Sequence, residues 1–83
     1  MPIYMDHHKH VHGATAAAVA DAHQKDLQTQ GQYGVKYLKY WLDESTGDIF
    51  CLVDAPSKEA AERVHREAHG LVADELHEVV EAS

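Results

Sequence analysis

The chain has 83 residues, enough for one hydrophobic core and too few for two. Apolar residues make up 45% of it and charged residues 25%, a globular balance that excludes a disordered chain. Fourteen acidic residues against seven basic ones give a formal charge of −7, which disfavours nucleic acid and anionic membranes as partners and attracts cations. The one cysteine, Cys51, has no internal disulfide partner, and no apolar run approaches the length of a membrane span. Met1 to His12 lacks the apolar run of a signal peptide, so a cytoplasmic location is expected. A domain this small buries a modest share of its surface, and a homodimer is the expected remedy.

Pro2 to His8 reads as a first strand, with Ile3, Tyr4 and Met5 at its start and proline at a position where strands tolerate it. His10 to Ala14 is a connection broken by Gly13. Thr15 is placed to cap a helix over 16–30, where Ala16, Val19, Ala20, His23 and Leu27 recur at spacings of three and four. Gly31 and Gly34 end it. Val35 to Asp43 is rich in aromatic and branched residues, a polar turn follows, and Ile49 to Asp54 is a second apolar run, so the segment reads as a β-hairpin. Both its faces are apolar enough to need cover, one from helices and the other from a partner subunit. Ala55-Pro56 breaks the strand and Ser57 caps a second helix, whose stripe is Ala60, Ala61, Val64 and Ala68 and whose end is Gly70. Glu75 to Glu81 alternates as a last strand. Strand, helix, strand, strand, helix, strand is the ferredoxin-like βαββαβ pattern, an α+β sandwich with a four-stranded antiparallel sheet and both helices on one face, built here as a single domain over residues 1–83.

Eight histidines outnumber the lysines and arginines together. Imidazole serves near neutral pH as base, proton shuttle, sensor or metal ligand. Asp6, His7, His8, His10 and His12 form the densest cluster; alternation puts Asp6 and His8 on one strand face, joined by His10 and His12 if the strand runs on. His23 falls on the apolar stripe of the first helix and is expected to face the sheet, paired with a backbone carbonyl, with Asp26 or with a ligand. His65 and His69 are one helical turn apart and share a face, though His69, at the helix end, also suits the helix dipole. Cys51 lies mid-strand, where a thiol either packs or, beside an imidazole, serves as a ligand.

Four stretches carry a further signal: Met5-Asp6-His7-His8, Ala22-His23-Gln24-Lys25-Asp26-Leu27, Phe50-Cys51-Leu52-Val53-Asp54-Ala55-Pro56 and Val64-His65-Arg66-Glu67-Ala68-His69-Gly70. With these, the chain resembles a family of small bacterial ferredoxin-like proteins of unknown function, one actinobacterial branch of which is described as nickel-binding and nickel-responsive. The resemblance implies a dimer and a nickel-binding role. The leading expectation is therefore a small metal-binding protein for a divalent transition ion, nickel ahead of zinc or copper, with His8, His23 and His65 as first ligands, then Asp6 and Cys51, and Asp26 orienting His23. The alternative is a dimeric α+β barrel enzyme that encloses a small hydrophobic substrate on the sheet face away from the helices. There His8 or His23 is the base, and Tyr37 or Tyr40 positions the substrate.

Overall fold

The computed structural model describes residues 2–82. All six expected elements form, in the expected order: β1 (Ile3–His8), α1 (Ala16–Thr29), β2 (Lys36–Asp43), β3 (Asp48–Asp54), α2 (Lys58–Ala68) and β4 (Glu75–Val79). The sheet runs β2-β3-β1-β4 with every pairing antiparallel, which is the ferredoxin-like order. Thr15 Oγ1 accepts the Ala18 N–H at 3.1 Å and Ser57 Oγ accepts the Ala60 N–H at 3.1 Å, so both helices start where a side-chain oxygen satisfies an orphan amide. No helix among the described residues is long and apolar enough to cross a membrane.

The core lies between the sheet and the two helices. Ile49, Cys51 and Val53 of β3 face it, with Val19 of α1 and Ala61 and Val64 of α2 opposite. Burying six small apolar side chains at roughly 25 cal/mol per Å² is the main drive for this layer. Tyr37 belongs to it as well, and its hydroxyl donates to the Ala61 carbonyl at 3.0 Å. The register between β2 and β3 slips at Leu38, which pairs with nothing on β3. That bulge turns Tyr37 and Tyr40, three residues apart, to the same helix-side face.

β1 inverts the usual hydropathy. Its buried residues are Tyr4, Asp6 and His8, whereas Ile3, Met5 and His7 alternate to the open face. That open face continues through Leu52 of β3 and Val79 of β4, beside Leu38 at 40% exposure. Tyr37, Tyr40 and His8, which the barrel reading needs on the open face, all lie on the helix side instead.

Gly47 ties the N-terminal loop to the hairpin turn. It has φ +81, its carbonyl accepts the Val11 N–H at 3.0 Å, and a Cβ there would stand 2.8 Å from the Val11 carbonyl oxygen. Gly34 has φ +66 but open space around it. We expect Gly47→Ala to cost about 1–3 kcal/mol, through backbone strain plus collision, and Gly34→Ala to cost only the strain, about 1–2 kcal/mol. For a domain of this size each kcal/mol lowers Tm by about 4–8 °C, so paired thermal melts resolve the two; equal shifts would contradict the collision.

Candidate metal centre

Side chains of β1, β3 and α2 converge between the sheet and the helices. β1 contributes Asp6 and His8, and Cys51 of β3 stands directly opposite Asp6 in the strand register. α2 contributes His65, which shares a buried face with Ala61 and Val64 at helical spacing. One ligand atom from each of Asp6, His8, Cys51 and His65 lies within 4.8 Å of every other, and all four residues are buried. A second group, Asp26, His65 and His69, meets the same criterion and shares His65.

Hydrogen bonds link the two groups into one chain. His65 Nε2–H donates to Asp6 Oδ2 at 2.9 Å, and Nδ1–H donates to Asp26 Oδ1 at 2.9 Å. An imidazole that donates from both nitrogens is an imidazolium. Burial alone would lower the pKa of His65, yet the two carboxylates more than reverse this and push it up to about 9. The Asp6 carboxyl shows the mirror image. Burial raises it, but the hydrogen bonds and charges of His65 and His8 bring it down to about 2. Asp26 is lowered by the same balance, with His65 and His69 against burial. The Tyr37 ring lies 4.6 Å from that of His65, near enough for a cation–π contribution.

The ends of the chain differ. His69 Nδ1 accepts the Leu71 N–H at 3.1 Å, so the proton sits on Nε2, which points at Asp26 Oδ1 at 3.1 Å. His8 Nε2 lies 3.3 Å from Asp6 Oδ1, while His8 Nδ1 and Asp6 Oδ1 have no hydrogen-bond partner among the described residues. The Cys51 thiol is pushed well above its usual pKa by burial and by the facing Asp6 carboxylate, so it is a thiol and not a standing thiolate.

Of the five residues expected to bind metal, the structure brings together Asp6, His8, Cys51 and His65 and leaves His23 outside. The His23 ring packs on Tyr40 with centroids 4.6 Å apart. Asp26, expected to orient His23, is turned instead to His65 and His69. The cause lies in the rotation of α1. Its buried residues are Val19 and Asp26, and Leu27, read as part of the stripe, is 37% exposed. β1 ends at His8, and the left-handed backbone of His10 (φ 48) turns the chain away, so His10 and His12 do not extend the buried face. His7 faces the other side, stacked on Phe50 at 4.3 Å and bonded to Asp48 at 3.0 Å. His69 and Asp26 were the members least visible in advance. Their signals were the four-residue spacing of His69 from His65 and the three-residue spacing of Asp26 from His23, and neither spacing shows that both residues converge on His65.

The donor set suits a divalent transition ion in kind: imidazole, carboxylate and thiol on one side, with two acceptor atoms lacking partners. The proton on His65 Nε2 stands against this, because an imidazole nitrogen ligates through its lone pair.

The family model described as "Nickel responsive protein SCO4226-like" matches residues 4–79. The chain is also similar to a solved structure, that of SCO4226 from Streptomyces coelicolor A3(2), with 41% identity over 98% of this chain and 99% of that one and a TM-score of 0.90. No curated protein matches it. The chain belongs to the nickel responsive SCO4226-like family.

Proposed function

Starting from that membership, we propose that the protein binds a divalent transition metal, nickel first, through Asp6, His8, Cys51 and His65. The observation that carries this reading is the close approach of four buried donors, two of them offering acceptor atoms without a partner. A metal held there takes the place of protons. His65 gives up its Nε2 proton and Cys51 its thiol proton, so loading releases acid. Asp26 keeps its hold on His65 Nδ1 and orients the ring from behind, as carboxylates do for ligating imidazoles. Imidazole donors alone do not select nickel over copper or zinc, so selectivity rests on how far the site opens. We place the protein in the cytoplasm, where a lone thiol stays reduced; recovery from a secreted fraction would refute that. We also take it as a homodimer joined through the open face that Ile3, Met5, Leu38, Leu52 and Val79 leave apolar.

The test is a calorimetric titration of metal-free protein with nickel, with sedimentation equilibrium on the same sample to read its mass. His8→Gln and Cys51→Ala should each weaken nickel binding by about tenfold or more. A variant with His7, His10 and His77 replaced by Gln, and His23→Ala, should bind as the parent does. Affinity that survives the two buried changes and vanishes with the surface ones would place the metal outside this cluster, and a monomer mass would remove the dimer.

A further inference from the structure

A cavity of about 160 Å³ lies between α1 and the sheet, against the cluster. Its walls are mainly apolar, formed by Val11, Val19, Ala22, Tyr40, Ile49 and Leu71, with the rings of His12 and His23 also lining it. His8, Asp26, His65 and His69 form its polar end. An apolar cavity of about 150 Å³ is large enough to hold benzene. Metal binding needs the donors but has no use for these walls.

Two features narrow what fits. His8 lines the cavity, is 2% exposed, and has an Nδ1 with no partner among the described residues. Its Nε2 lies 3.3 Å from Asp6 Oδ1, outside hydrogen-bond geometry, and a carboxylate at that distance favours an N–H over a lone pair on that side, which leaves Nδ1 as the acceptor. A buried acceptor without a donor costs free energy that an incoming O–H or N–H recovers. The second feature is charge. Even with His65 carrying its proton, Asp6 and Asp26 leave the polar end net negative, which opposes a carboxylate or phosphate ligand, and the apolar walls oppose an ammonium.

We propose that this cavity binds a small neutral apolar molecule of about phenol size, carrying one hydroxyl or N–H that donates to His8 Nδ1. The inference goes beyond metal binding and does not rest on it. Phenol is the probe, titrated into metal-free protein with a chelator present and followed by heteronuclear NMR. Phenol should saturate one site per chain, with the largest shifts at Val19, Ala22, Ile49 and the His8 ring. Toluene, which lacks the donor, should bind roughly fivefold to tenfold more weakly, and benzoate should not bind. Ala22→Leu fills the cavity with a good helix former and should abolish phenol binding while leaving the nickel titration unchanged. Ala18→Leu, at the exposed lip of the same cavity, is a second block whose folding is not in question. Phenol shifts that never saturate, or that survive both variants, would overturn the proposal. So would toluene binding as tightly as phenol, or benzoate binding better. Nickel binding lost or kept in the parent protein bears only on the metal reading, so the two fail separately.

Discussion

Replacing His65 with Ala should cost the metal-free protein about 3–5 kcal/mol, the largest loss expected from any single substitution here. The ring is 2% exposed and holds Asp6 and Asp26 apart with one hydrogen bond to each. Without it two carboxylates face each other in the core with no countercharge between them. A domain of this size has a total stability of about 4–12 kcal/mol, so the variant should lose from about a quarter to all of it at neutral pH. Acid should narrow the deficit, because the orphaned carboxylates take up protons and lose their repulsion. His65→Gln, whose amide still donates to one carboxylate, should fold and lose less. Asp6→Asn combined with His65→Ala should be less damaging than the two changes added, since each removes the partner of the other. Urea unfolding of the parent, the three single variants (Asp6→Asn included) and the double variant reads all of this. A loss below about 1 kcal/mol for His65→Ala would mean that the three charges are not held as a buried unit.

That unit also explains what could be read from the sequence and what could not. Strands and helices were legible because their signals are local: Thr15 and Ser57 as caps, the apolar run of β3, the polar turn between Asp43 and Asp48. Which way each element faces was less legible. In β1, alternation predicts that Asp6 and His8 share a face, but hydropathy would send them outward and Ile3 and Met5 inward; the structure does the opposite. Asp6 is tolerable inside only because His65 arrives from a helix 59 residues away, and no local window contains that pair. The same partner sets α1. Five of its fourteen residues are alanine, all in its first half, and their methyls are nearly equivalent, so the apolar stripe is a weak guide to rotation. The contact from Asp26 to His65 decides it, and it carries His23 to the cavity wall and Leu27 toward solvent. The bulge at Leu38 is equally silent in the sequence, and it moves Tyr40 to the helix side.

The stability of the metal-free protein should fall on both sides of a plateau at about pH 4–6.5, and the alkaline fall should be the diagnostic one. The sign follows from the direction of each shift. His65 is raised from 6.5 to about 9, so the folded state holds its proton more tightly than the unfolded chain does. Its contribution is complete below about pH 6.5 and is lost as pH rises through about 9. Asp6 is lowered from 3.8 to about 2, so its contribution is complete above about pH 4 and is lost as pH falls toward about 2. The two shifts describe one charge pair seen from its two members and are not summed. The shift of His65 corresponds to roughly 3 kcal/mol, drawn down across the alkaline limb. Cys51 deepens that limb beyond about pH 9, because a thiol that stays protonated in the fold but ionises in the unfolded chain favours unfolding there. Urea midpoints at about pH 5.5, 7.5 and 9.5 should therefore decline in that order, and His65→Gln should decline less over the same interval. A midpoint that holds level from about pH 5.5 to 9.5, or rises, would show that the fold holds the His65 proton no more tightly than the unfolded chain does.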